Sequence, residues 1–255
     1  MEKNRVVVNQ NKNIAYIRLN EPKSLNALSN TLKEQLLLKL EEIEKNKEIK
    51  LIILAGEGKS FCAGGDLRAM KDPYDPMEIK RGMDLSKNIV LKLRSMPKII
   101  LAAVHGYAAG AGMSLALAAD LVFAEEDAKF VLSFKNVGLI PDLGLHYHLS
   151  RQVGEWKAKE WMWTGKTLTA KEAMQYGLVM EQVQKDQLSD RVTEFAQTLA
   201  EGPVDAYIMS KLMINQSAAM RIEDMMEQEN NIQSILRGST GHQEALENFL
   251  NRKKK

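Results

Sequence analysis

The sequence predicts an α/β fold with a helical C-terminal region, and three observations carry that prediction. As far as about residue 142, short apolar runs, glycine-rich loops and amphipathic stretches follow one another in the order strand, loop, helix. Beyond Thr164-Gly165 the pattern is almost wholly helical, with one short strand at Leu178-Val183. The 255 residues, 45% of them hydrophobic, suffice for one large core with at most a small appendage. We divide the chain into an α/β core over 1–195 and a helical region over 196–255 that joins protomers.

Residues 5–8 (RVVV) and 13–19 (NIAYIRL) are β-rich runs separated by a polar turn, which reads as a hairpin. NEPKSLNALS is a polar turn whose Ser29 is placed to cap a helix over 31–46, where Leu32, Leu36, Leu40 and Ile43 recur at helical spacing. Strand 51–55 leads through GEGKS and FCAGGDL to a short helix, and then to KDPYDP, the most linker-like stretch. A second amphipathic helix over about 77–95 stops before Met96-Pro97, because the residue preceding proline avoids the helical region. Strand 99–104 runs into HGYAAGAGMSLALAAD and a helix over 111–119. Helical patterns then cover 169–176, 186–200, 203–217, 220–237 and 240–251. Met213, Met220, Met225 and Met226 in this region read as adaptable core or interface filler.

Lys and Arg number 35 against 33 Asp and Glu, a formal charge of +2, so no whole-molecule field argues for nucleic acid or a membrane as partner. The single Cys62 excludes an internal disulfide and a cysteine-rich metal site, and fits a reducing cytoplasm. The start MEKNRVVVNQ is charged at once, and the apolar runs fall well short of the ~18 residues of a membrane span. The expectation is a cytoplasmic protein, with Arg252 to Lys255 as a frayed basic tail.

Two glycine-rich turns sit between a strand and a helix: Phe61-Cys62-Ala63-Gly64-Gly65-Asp66-Leu67 and Ala109-Gly110-Ala111-Gly112-Met113. Neither is followed by the Lys-Ser or Lys-Thr of a phosphate-binding P-loop, and Leu115 stands where a dinucleotide fingerprint needs its third glycine. Their glycines serve either close helix–strand packing or a pair of N–H groups directed at one developing negative charge.

FCAGGDL, then HGYAAGAGMSLALAADLVF, then FKNVGLIPDLG, in that order, resemble the enoyl-CoA hydratase/isomerase (crotonase) family. The likeness runs from NEPKSLNAL through TGKTLTAKEAMQYGLV to GHQEALENFLNRK. It implies a crotonase-like spiral of repeated ββα units, a trimer or a pair of trimers, and an acyl-CoA thioester as substrate, with CoA part of that substrate and no separate cofactor or metal. Matched residue by residue, it places the oxyanion N–H groups on Ala63 and Ala111. It makes Lys23, Ser24 and Leu25, with Ala63, Gly64, Gly65, Asp66 and Leu67, contacts of the CoA adenosine and pantetheine. Phe249 and Arg252 fall where the family's last helix reaches toward a CoA, often that of a neighbouring subunit.

Hydratases of the family use two glutamates, and those positions here match Ser114 and Phe134. Hydration needs a base for water and an acid for carbon, which a hydroxyl and a phenyl ring do not replace. Asp142 in GLIPD remains, and the branch resembling ring-1,2-epoxyphenylacetyl-CoA isomerases has its base there. Read alone, Asp142 is either a base or a turn and helix N-cap after Pro141; Glu78 and His146 are the reserve bases. His146 and His148 are two apart and so diverge on a helix, Asp66 complements a helix start, and Cys62 reads as a small buried apolar residue. Three activities follow: double-bond isomerisation, another reaction on the same platform (hydration, C–C cleavage or thioester hydrolysis), and acyl-CoA binding without catalysis. The acyl pocket is expected from residues 70–95 and 130–150.

Overall fold

The computed structural model describes residues 4–71 and 73–252 and begins with the expected hairpin. β1 (Val6–Asn11) and β2 (Ile14–Leu19) pair antiparallel with Val8 opposite Ile17. The strands β3 (Leu51–Gly56), β4 (Ile99–Val104), β5 (Tyr107–Ala109), β6 (Leu121–Glu125), β7 (Lys129–Val131), β8 (Thr167–Thr169) and β9 (Glu181–Val183) follow. The larger sheet has the order β1-β2-β3-β4-β6-β9 and is parallel from β2 onward; β5, β7 and β8 form a separate small sheet. A parallel sheet is covered on both faces, and the residues of β3 and β4 alternate between two cores accordingly. Ile52, Leu54, Ile100 and Ala102 enter one core, and Leu51, Ile53, Ile99 and Leu101 enter the other.

The first face is covered by α1 (Asn30–Lys45) and α2 (Pro76–Ser95), through Leu32, Leu36, Leu40 and Ile43 of the former and Ile89 and Leu93 of the latter. Ser29 caps α1 as expected, its Oγ accepting the Leu32 N–H at 3.3 Å. α2 ends at Ser95, ahead of Pro97. Next come α3 (Ala111–Leu117), α4 (Leu145–Val153), α5 (Glu155–Thr164) and α6 (Ala170–Gln175).

The opposite face is covered by α7 (Leu188–Ala200) and α8 (Val204–Ser217), whose Leu188, Val192, Ala196, Val204 and Ile208 complete the second core. The division expected at 195/196 therefore falls inside α7, and residues beyond it help to cover the sheet. α9 (Ile222–Leu236) lies against α8, and α10 (Thr240–Arg252) ends the described chain. The basic tail beyond Arg252 lies outside the described residues. No helix among them is long and apolar enough to cross a membrane.

Candidate active site

β3 and β4 are parallel neighbours, so the loops leaving their C-terminal ends lie side by side. These loops carry the two glycine-rich turns, and the turns are bonded to each other. Phe61 N–H donates to the His105 carbonyl at 2.8 Å, Cys62 N–H to the Tyr107 carbonyl at 3.0 Å, and Ala109 N–H to the Cys62 carbonyl at 2.9 Å. The glycines allow this approach. A Cβ on Gly112 would stand 2.2 Å from the Cys62 carbonyl oxygen, and one on Gly64 would stand 2.6 Å from the Ala109 oxygen and 3.3 Å from the Ala111 nitrogen. The close packing is thus of turn on turn, and it sets the Ala111 N–H beside the first turn. As the first residue of α3, Ala111 has no acceptor within the helix.

The turn at 21–26 is joined to the same place through Asn26, a residue the sequence reading did not single out. Asn26 is fully buried with φ 58°, in the left-handed region that Asn tolerates better than most residues. Its Oδ1 accepts the Glu21 N–H at 2.8 Å, and its Nδ2 donates to the Glu57 and Ser60 carbonyls at 2.9 and 2.8 Å. Asn26 so clamps Lys23, Ser24 and Leu25 against the first turn, where Leu28 N–H donates to the Gly64 carbonyl at 2.7 Å.

This clamp corrects one assignment. The Ala63 N–H donates to the Leu25 carbonyl at 2.9 Å and is not free to hold a substrate oxygen. The Gly64 N–H is directed at the Cys62 sulfur. The next N–H of the turn, that of Gly65, makes no hydrogen bond among the described residues, and it is the donor the turn leaves open. Only Met70 Cε would come near a Cβ at that position.

Asp66 accepts from Arg68, backbone N–H at 3.0 Å and Nε at 3.2 Å, so its carboxylate closes a local turn. The helix expected after it is a single 3-10 turn, Ala69–Lys71, and Leu67 is exposed.

Ser114 and Phe134 both border the second turn without supplying an acid. Ser114 is buried and its Oγ donates back to the Gly110 carbonyl at 3.4 Å, while the Phe134 ring is buried over Gly110. Asp142 is different. The N-cap of α4 is Gly144, without a side-chain cap, and the Leu145 N–H is taken by the Asp142 carbonyl at 3.0 Å. The main chain of Asp142 therefore serves the turn, and its carboxyl does not cap the helix. Its Oδ1 is buried with no hydrogen-bond partner among the described residues. Burial pushes this carboxyl above the usual carboxylate range, opposed by the Lys33 ammonium and by its own N–H. The Cys62 thiol is pushed up to about 12, mainly by burial and in smaller part by the Asp142 charge.

The reserve bases have other surroundings. Glu78 is exposed and accepts from Asn30 Nδ2 at 2.8 Å, and His146 is exposed on α4. His148 is pushed down to about 4 by burial and by Arg94 and Arg151. Among the described residues no group of three His, Cys, Asp or Glu could hold a metal. Phe249 stands exposed on α10, and the side chain of Arg252 lies outside the described residues. A cavity of about 790 Å³ lies elsewhere, bordered by Arg94, Asp120, Tyr147, His148 and Lys211; no residue of the two turns borders it, and of α3 only Leu117 does.

The sequence profile described as enoyl-CoA hydratase/isomerase matches residues 9–255. The chain is 37% identical over 243 residues to YhaR of Bacillus subtilis (strain 168), a protein named for the same hydratase/isomerase family, covering 94% of this chain and 93% of that one. It is 32% identical to the 1,2-epoxyphenylacetyl-CoA isomerase of Escherichia coli (strain K12), with 94% and 92% covered. The crystal structure of an enoyl-CoA hydratase from Polaromonas sp. JS666 superposes with a TM-score of 0.93 at 28% identity, covering 97% of each chain. With the paired turns, the sheet order and these likenesses together, the chain belongs to the enoyl-CoA hydratase/isomerase family.

Proposed function

We propose that this acyl-CoA enzyme shifts a double bond within an enoyl-CoA, with Asp142 as the single base. The observation that carries the reading is the Asp142 Oδ1, buried and without a hydrogen-bond partner among the described residues, while Ser114 and Phe134 at the second turn offer no acid. The ionised carboxylate removes a proton from the α- or γ-carbon of the thioester. Negative charge then develops on the thioester oxygen, which the N–H groups of Gly65 and Ala111 receive. The same carboxyl, now protonated, returns the proton at the other of these two carbons, two atoms along, so the double bond moves and base and substrate are both restored in proton count. A carboxyl raised by burial is a stronger base than a solvated one, which suits removal of a weakly acidic C–H.

The CoA moiety, part of the substrate rather than a separate cofactor, runs in this reading along Lys23 to Leu25 and the turn from Gly64 to Leu67. Protomers associate as a trimer or a pair of trimers. Support comes from Ile214, Ile222, Ile235 and Phe249, large apolar residues exposed on α8, α9 and α10, a density that points to a covered face. Sedimentation is expected to give the trimer or hexamer mass at micromolar concentration; a stable monomer would contradict the association.

Product analysis tests the reaction class. A 3-enoyl-CoA is expected to yield the 2-enoyl-CoA without uptake of water. Net conversion of a 2-enoyl-CoA to its hydroxyacyl-CoA at a comparable rate would favour hydration, and tight binding of both esters without turnover would favour an inert binder.

A further inference from the structure

The cavity of about 790 Å³ outside the catalytic turns is built where α2, α4 and α8 meet, and its charges are unequal. Arg94 comes from the last turn of α2, Tyr147, His148 and Arg151 from α4, and Lys211 from α8. Tyr147 and Arg151 are one helical turn apart, and the Arg151 guanidinium lies 3.5 Å from the centre of the Tyr147 ring. Arg94 approaches the same ring to 4.8 Å, so one aromatic ring gathers two cations. Arg94 is fixed there by α8: its Nη2 donates to the Asn215 carbonyl at 3.0 Å, and Asn215 Nδ2 donates to the Arg94 carbonyl at 2.9 Å. Asp120 is the one carboxylate bordering the cavity among the described residues, and Lys211 holds it at 2.9 Å. No carboxylate among them stands within the 4.0 Å of an ion pair with Arg94 or Arg151. Arg94 Nε and Nη1, and Arg151 Nε and Nη2, make no hydrogen bond among the described residues. His148 stays neutral beside them, its ring pushed down to about 4 by burial and then by Arg94 and Arg151.

We propose that this cavity binds an amphipathic monocarboxylate, an aliphatic acid whose carboxylate lies between Arg94 and Arg151. A guanidinium fork matches a carboxylate, and an anion between two like charges relieves their repulsion. The remaining wall takes the chain: Leu117, Val122, Val179, Met180 and Ile214 are apolar and border the same space. An inorganic anion would leave that wall in water, and an uncharged chain would leave the two cations unmatched. The volume falls within the ~300–1,000 Å³ of small-molecule sites. Neither the glycine-rich turns nor Asp142 border the cavity, so the site is separate from the proposed chemistry and stands independently of it.

The probe is octanoate, with octanol as its uncharged counterpart. Binding is followed by calorimetry and by the His148 ring resonances, assigned by their loss in His148→Gln. Octanoate is expected to bind saturably at millimolar concentration or below and to move the His148 resonances, with octanol about tenfold weaker or more. Arg94→Met and Arg151→Gln should each weaken octanoate about tenfold or more, because each removes one fork from the carboxylate. Binding should persist when an acyl-CoA ester saturates the catalytic site. No saturable binding at millimolar octanoate, variants that bind like wild type, octanol that binds as tightly, or displacement by the CoA ester would each overturn the proposal. So would dissociation of the assembled protein by octanoate, which would make the cavity a seat for a second copy of the chain. Should Arg94→Met not fold, Arg151→Gln carries the test, since it changes an exposed side chain.

Discussion

Gly112→Ala tests whether the site depends on the contact between its two turns. The added methyl would lie 2.2 Å from the Cys62 carbonyl oxygen, 2.8 Å from its carbon and 2.9 Å from Cys62 Cβ, where ordinary contact begins at 3.4 Å. The turns must then part by about 1.2 Å, since the obstacle is backbone and not the end of a flexible side chain. That movement pulls on the hydrogen bond from Ala109 N–H to the same carbonyl and carries Ala111 away from the first turn. In an unobstructed helix the change would stabilise by up to ~1 kcal/mol. Overpacking of this kind costs ~1–3 kcal/mol, and a misplacement of ~1 Å at a reacting centre costs ~10²-fold in rate. Urea unfolding and enoyl-CoA turnover should therefore show a lower midpoint together with a kcat reduced about 10²-fold. Gly241→Ala in α10, where a Cβ meets nothing within 4 Å, is the control and should lose neither. A Gly112→Ala protein with wild-type midpoint and wild-type kcat would refute the dependence of the site on turn-to-turn contact.

Ala111→Pro removes the N–H assigned to the thioester oxygen, and kcat should fall by ~10²–10³ in a protein whose circular dichroism is unchanged. Full activity would take Ala111 out of the oxyanion site. Lys211 is a buried ammonium paired with Asp120 at 2.9 Å and bonded to the Leu93 and Lys98 carbonyls at 2.9 and 2.7 Å. Lys211→Met strands the Asp120 charge and should cost ~3–5 kcal/mol in urea unfolding, part of it recovered in Lys211→Met/Asp120→Asn; a single variant as stable as wild type would show that the pair is not a buried unit.

The elements that were legible in the sequence are those whose signal is local. The leucine spacing of α1 with its Ser29 cap, the aliphatic runs of β3 and β4, and the stop of α2 before Pro97 are each readable within a dozen residues. The small sheet was not: β5, β7 and β8 have three residues each, too short for an alternating pattern, and they pair across long separations. Nor was α5 singled out, because Trp156 and Trp163 face outward and blur its apolar face. At the site, motif order located both turns and Asp142. Which N–H remains free depends on the Leu25 carbonyl meeting Ala63 across 38 positions of chain, as the numbering shows, and no motif reports that contact. Asn26 could have been noticed as an Asn in a polar turn, the residue type that tolerates left-handed backbone. Lys33 had no such signal. On an amphipathic helix a lysine reads as solvated, and only the glycine at 82, on another helix, lets it turn inward.

The central claim is that the Asp142 carboxylate moves the proton, and Asp142→Asn tests it most directly, because the amide keeps the size of the side chain and removes its basicity. The measurement is turnover of a 3-enoyl-CoA together with exchange of its α-protons into deuterated water, at matched occupancy of the CoA ester. In wild type the rate should rise with pH as the carboxyl loses its proton, above the usual carboxylate range because burial raises it. In Asp142→Asn, binding and the unfolding midpoint should persist while turnover and exchange both fall by ~10²–10⁴-fold and the acidic limb disappears. An Asp142→Asn protein that isomerises and exchanges at the wild-type rate would contradict the account.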